Sequence, residues 1–230
     1  MFSNKFIQRF LKACQVVVLT GTRLKTGNNF DIQKFPSKEL LNSDKQKFWQ
    51  EFNAIREEHL AMEPNLGYYA LVDLERRFED FTLITTSIDG LHSRAGNSNI
   101  IELRGNILRN KCLDCGHTFQ DDSLNFDPHC PKCGSANVAP DVDWFGETLS
   151  SELLTKAQRA AAEAEVFVTA GFDDPHTDVR ALPLIAKANG AYLMEMNRER
   201  TAFSADMDES VIGNPAKLLT AIVLILEKLQ

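Results

Sequence analysis

Four of the chain's five cysteines fall in two short pairs, Cys112-Leu113-Asp114-Cys115 and Cys130-Pro131-Lys132-Cys133, with fourteen residues between them. Each pair is followed by glycine (CLDCG and CPKCG). Glycine permits the tight turn by which two thiolates and several backbone N–H groups converge on one ion. Two disulfides are the competing reading, but in a reducing compartment this spacing is that of a four-thiolate zinc site. A redox dithiol fits less well, because two such pairs close together satisfy each other through a metal. Cys112, Cys115, Cys130 and Cys133 are therefore assigned as ligands of a structural Zn²⁺, closed to substrate. His117 and His129 flank the pairs but find the shell filled, and are expected on the surface. Segment 106–140 has little apolar material of its own and is expected to be held together by the metal. Cys14, the fifth cysteine, lies beside a strand pattern and reads as a small buried hydrophobe.

Around this segment, strand-like apolar runs alternate with helical patterns. VVVLT (16–20) ends at Gly21. TLITT (82–86) follows YYALVDLERRF, EVFVTAG (165–171) follows SSELLTKAQRAAAEA, and AYLMEMN (191–197) follows DVRALPLIAKANG. That rhythm predicts an α/β fold, a doubly wound, Rossmann-like parallel sheet covered by helices. The last helix has a marked start, with Asn214 as N-cap and Pro215 in the first helical position. Residues 28–76 read as a helical module inserted after the first strand. The expected organisation is a large domain from 1–27, 77–105 and 141–230, with a small domain made of the helical module and the zinc-binding module at 106–140. With 25 basic against 32 acidic residues and a net charge of −7, no basic block marks a nucleic-acid partner. The longest apolar runs are too short to cross a bilayer, and the first residues lack a signal peptide's apolar segment, so no membrane partner is expected and the cytoplasm is the expected compartment.

In a sheet of this kind ligands bind at the carboxyl ends of the strands, near the turn after the first strand. That turn is LTGTRLKTGNN, which has Gly21 and Gly27 without the spacing of a dinucleotide fingerprint. An ordinary strand-to-helix turn would look the same. Other residues carry more. TTSIDGLHSRAGNSNIIELRG, the two cysteine pairs and then PDVDWFGETL resemble the central block of the sirtuins, the NAD-dependent protein deacylases. VVVLTG, EPNLGYYALVDLERR and LPLIAKANGAYLMEMNRERT fit the same family's order. The resemblance implies that NAD or a related nucleotide and an acylated protein substrate meet in the cleft between the two domains.

The resemblance also implies site residues, and many depart from the family pattern. Gly21, Thr22 and Arg23, followed by Leu24 and Lys25, stand where sirtuins have Gly-Ala-Gly-Ile-Ser around the phosphates. Thr86, Ser87 and Asp89 stand in the Gln-Asn-Ile-Asp segment that holds ribose and nicotinamide, and only Asp89 is unchanged. Gly171, Phe172 and Asp173 replace Gly-Thr-Ser. Asn197 matches the asparagine on the adenosine side. Val142, followed by Asp143 in place of a second valine, and Trp144, Phe145 and Gly146 form the substrate-binding segment. In Glu102-Leu103-Arg104-Gly105, Arg104 occupies the position of the family's catalytic histidine, the base that takes a proton from a ribose hydroxyl. A guanidinium stays protonated and has no acceptor lone pair.

Changes therefore gather in the ligand cleft while the scaffold persists. The expected function is a sirtuin-like protein impaired in conventional deacetylation, binding a nucleotide or other anion near Arg23, Lys25 and Arg104. Two alternatives stand beside it. One is an active NAD-dependent deacylase, ADP-ribosyltransferase or NAD-cleaving enzyme, and the other is a zinc-stabilised protein-interaction module. His92 and Arg94 are expected to brace their loop, and His59 and His176 read as isolated.

Overall fold

A computed structural model describes residues 2–25, 35–121, 123–143, 149–174 and 176–229. Its strands are β1 (Gln15–Thr20), β2 (Asp80–Thr85), β3 (Ile100–Glu102), β4 (Gly105–Cys112), β5 (Thr118–Gln120), β6 (Val138–Val142), β7 (Val166–Ala170), β8 (Tyr192–Asn197) and β9 (Glu209–Ile212). The helices are α1 (Asn4–Lys12), α2 (Lys38–Ser43), α3 (Lys45–Leu60), α4 (Leu66–Arg77), α5 (Leu91–Ala95), α6 (Ser151–Glu163), α7 (Thr177–Ala188) and α8 (Pro215–Lys228). Six strands form one sheet in the order β3-β2-β1-β7-β8-β9, and every pairing in it is parallel.

The apolar runs explain this sheet. Val16 and Val18 join a core with α4 and α8 on one face, while Val17 and Leu19 join a second core with α6 and α7 on the other. A strand buried on both faces has no use for polar alternation, hence the continuous VVVL. The start of α8 forms as the sequence predicts: Asn214 Oδ1 accepts from the amide of Lys217 and Pro215 opens the helix. Because β1 lies between β2 and β7, its two neighbours are reached by crossovers to opposite sides. The carboxyl ends of β1 and β7 are thus the topological switch point, where sheets of this class leave a crevice.

The second sheet is small and antiparallel, in the order β5-β4-β6. Phe48, Trp49 and Phe52 of α3 pack with Ile107, Leu108, Val138 and Cys112 of this sheet, so the zinc-binding and helical segments share one core. Arg56 ties them further. Its buried guanidinium donates to the carbonyls of Ile107 and Asp121 and to Asn110 Oδ1. The helix α4, read from sequence with the helical module, instead places Tyr68, Leu71 and Leu74 in the core beneath the large sheet. Cys14 is exposed rather than buried. It precedes β1 at the amino-terminal rim, where its amide donates to the Glu165 carboxylate at 2.6 Å.

Candidate functional site

The four paired cysteines converge. Cys112 and Cys133 Sγ lie 3.6 Å apart, Cys115 and Cys130 Sγ 3.7 Å apart, and all four sulfurs fall within 4.8 Å of one another. A tetrahedron with Zn–S bonds of about 2.3 Å has edges of about 3.8 Å, so the donor set fits Zn²⁺. Gly116 and Gly134 have φ of 70° and 75°, and their amides return to the carbonyls of Cys112 and Cys130. Positive φ is why glycine follows each pair.

The candidate cleft lies elsewhere, at the carboxyl ends of the large sheet. Gly21 and Gly171 end β1 and β7 and touch across the switch point. A Cβ on Gly21 would sit 2.6 Å from the Gly171 carbonyl oxygen, and one on Gly171 would sit 2.5 Å from the amide nitrogen of Leu24. Neither position has room for a side chain. The amide of Arg23 donates to the Gly171 carbonyl at 3.2 Å, so the turn after β1 is hydrogen-bonded to the loop after β7. Thr22 is exposed on that turn.

Side chains join the same two loops. The Arg23 guanidinium meets Asp173 Oδ2 at 2.7 Å and Glu199 Oε1 at 2.8 Å, linking the ends of β1, β7 and β8. Arg104, in the two-residue junction between β3 and β4, is held more closely. Its Nε and Nη2 donate in a fork to the Asp174 carboxylate at 3.2 and 3.0 Å, and Nη1 donates to Asp143 Oδ2 at 2.7 Å. All three side chains are nearly buried, Arg104 at 14% and both aspartates at 9% exposure. Burial pushes the Asp143 carboxyl above the ordinary range, against the opposing pull of Arg104. His176 completes the cluster, with Nδ1 lying 2.7 Å from Arg104 Nη2 and 2.8 Å from Asp174 Oδ1. Neither arginine presents a free charge to the cleft. Lys25 stands nearby, its ammonium pKa pushed down by burial against the pull of Asp89.

Beyond β2, Asp89 is buried and saturated by its own chain: Ser87 Oγ donates to Oδ2 at 2.8 Å, Tyr68 Oη to Oδ2 at 3.2 Å, and the amide of Leu91 to Oδ1 at 3.0 Å. Burial, reinforced by the Asp89 charge, raises the Tyr68 phenol well above its usual value and keeps it a donor. His92 Nε2 pairs with Thr20 Oγ1 at 2.9 Å, while its buried Nδ1 has no partner among the described residues. Arg94 donates to the carbonyls of His59 and Met62, fastening α5 to the end of α3. Thr86 is buried, its amide donating to the Thr20 carbonyl. Asn197 is buried too, its Nδ2 donating to the Phe172 carbonyl at 2.8 Å. The Phe172 ring packs against Phe203 in the core on the α6 and α7 face of the sheet and so does not fill the cleft. Val142 pairs in register with Gly105, bringing Asp143 beside Arg104. Trp144, Phe145 and Gly146 lie outside the described residues.

The expected residues thus gather in two groups, Gly21, Arg23, Gly171 and Asp173 at the switch point and Ser87 and Asp89 beyond β2. Sequence reasoning missed Asp174, Glu199 and the role of His176. The signal for Asp174 and His176 was the local run Asp173-Asp174-Pro175-His176, three ionisable residues after a strand end; Glu199 lies in the charged run Arg198-Glu199-Arg200 after β8.

Comparison with known proteins identifies the family of the fold. The Sir2 family model matches residues 10–173. A protein described as NAD-dependent protein deacylase from Thermus thermophilus is 36% identical over 212 residues, covering 84% of this chain and 83% of its own length. Another so described, from Archaeoglobus fulgidus, is 30% identical over 236 residues and covers 96% of each chain. Among solved structures, a Sir2 homologue in complex with NAD matches with a TM-score of 0.86 at 27% identity, covering 100% of this chain and 95% of that one. A mutant Sir2 homologue in complex with ADP-ribose matches with the same TM-score and identity, over 99% and 98% of the two chains. The chain belongs to the Sir2 family, the sirtuins.

Proposed function

We propose that this chain is a Sir2-family protein impaired in conventional NAD-dependent deacylation, whose cleft takes a nucleotide such as NAD or ADP-ribose. One observation carries the reading: Arg104, at the position where sirtuins use a histidine base, is fixed by Asp143, Asp174 and His176. In the family's reaction the acyl oxygen attacks the ribose carbon and nicotinamide departs. A base must then take a proton from a ribose hydroxyl so that it can close on the acyl carbon. Arg104 has no lone pair to offer, and its two aspartates stabilise the cation further. A positioned base contributes roughly 100- to 10,000-fold in rate, and deacylation should fall by about that factor.

The test is deacylation of an acetyl-lysine peptide by this protein, run beside the Thermus thermophilus relative. A rate at least roughly 100-fold lower supports the reading, and a comparable rate ends it. Arg104→His alone should restore little. The new imidazole would face two nearly buried carboxylates that favour its protonated form, so any recovered activity should rise with pH.

A second reading is favoured by His176. His176 Nδ1 can accept from Arg104 Nη2 or donate to Asp174 Oδ1 but not both; in the tautomer that donates to Asp174, Nε2 carries the lone pair and Asp174 orients the ring as a carboxylate orients a catalytic imidazole. Efficient deacylation that disappears in His176→Ala would support that enzyme instead.

A further inference from the structure

We propose that the Asp173 and Asp174 carboxylates are an intramolecular stand-in for an anionic ligand, which they hold off until a diphosphate compound displaces them, while Gly171 and Phe172 stay anchored in the scaffold. The inference rests on the reading above that the cleft takes a nucleotide. It adds the competitor built into the chain.

Open parallel sheets bind ligands in the crevice at the switch point, where backbone amides and cations receive phosphate. In this chain that crevice is met from inside. The Gly171 carbonyl accepts from the Arg23 amide and so fixes the loop after β7 beside the turn after β1. Asp173 and Asp174, adjacent in sequence, then reach to opposite sides. Asp173 meets Arg23 on the loop after β1, and Asp174 meets Arg104 beside the small sheet. A carboxylate presents two acceptor oxygens to a guanidinium in the manner of a phosphate. The segment therefore offers two anionic groups to the cations that a diphosphate would seek, and the two states exclude each other.

The two attachments differ in strength. Asp173 is 38% exposed, so water and salt screen its pairing with Arg23. Asp174 is 9% exposed and forked onto Arg104. Asp174 is thus the firm hold and Asp173 the side that opens first. Substituting both frees Arg23 and Arg104 toward the crevice, although Glu199 and Asp143 still hold one side of each guanidinium.

Calorimetric titration with ADP-ribose tests this on the wild type and on Asp173→Asn/Asp174→Asn, with circular dichroism to establish that each is folded. The double variant should bind about tenfold tighter or more. Asp173→Asn alone, at an exposed site that leaves the fold intact, should bind measurably tighter by a smaller factor. It carries the test if the double variant does not fold. Affinity unchanged or weakened in a folded variant overturns the proposal, as does a lack of binding in all three proteins. Deacylation is read separately on the wild type, so fast turnover there would remove the functional reading without altering the outcome of the titration.

Discussion

Replacing Arg104 by alanine should cost far more stability than replacing Arg23, although each guanidinium has two carboxylate partners. The partners of Arg23, Asp173 and Glu199, are 38% and 69% exposed, and pairs so screened contribute about 1 kcal/mol or less. The partners of Arg104 are each 9% exposed, and removing its cation leaves two nearly buried carboxylates facing each other. A loss of roughly 3 kcal/mol is expected for Arg104→Ala, against about 1 kcal/mol at most for Arg23→Ala, by equilibrium unfolding in urea. Equal losses would mean that the cluster around Arg104 is solvated. Arg104 itself was legible in the sequence, because the inability of a guanidinium to accept a proton belongs to the residue. Its partners were not. Asp143 lies 39 residues away and Asp174 70, so only the folded chain brings His176, isolated in sequence, beside them.

At the scale of elements, the zinc-binding segment was legible as a ligand set but not as a sheet. Two cysteine pairs fix a site by spacing alone, whereas β5 has three residues of ordinary composition. The insertion was equally opaque. Nothing in the helical pattern of α3 announces that Phe48, Trp49 and Phe52 pack against strands that flank the cysteines. This shared core limits what metal loss can do. The turns at 112–117 and 130–135 rest on hydrogen bonds such as Cys112 N–H to His117 O and Cys130 N–H to Ser135 O. The inner part of β4 is held by Arg56 and the α3 aromatics instead. Chelation of zinc should therefore speed amide exchange in 112–135 while α3 and residues 107–108 stay protected, as hydrogen-exchange mass spectrometry would resolve. Loss of protection in α3 on the same timescale would show that the metal holds both segments.

For the whole molecule, the parallel sheet was readable because strands buried on both faces must be continuously apolar, as VVVL (16–19) and VFV (166–168) are. Sequence periodicity says nothing of which polar groups that burial strands, and His92 is one. It is buried where β1 ends, bonded through Nε2 to Thr20, with its ring centroid 4.7 Å from that of Tyr68 in a tilted contact. Burial lowers its pKa to about 4, with Asp89 pulling weakly the other way. An unfolded histidine titrates near 6.5, so between pH 6.5 and about 4 the unfolded chain binds the extra proton and the folded chain refuses it. Stability is unaffected by His92 above pH 6.5 and declines as pH falls through that window, by roughly 3 kcal/mol in all. Asp143 and Glu102 act in the opposite sense. Their pKa values are raised chiefly by burial, so they favour the folded state at low pH and lose that contribution as pH rises past the ordinary carboxylate range. Comparing wild type with His92→Gln isolates the histidine, because these carboxylates and the zinc cysteines titrate in both proteins. Glutamine keeps a hydrogen-bonding group beside Thr20 and takes up no proton, so urea unfolding from pH 7 to 4.5 should show the wild type losing more stability than the variant. Parallel curves would mean that the cavity around His92 opens to water and admits the proton.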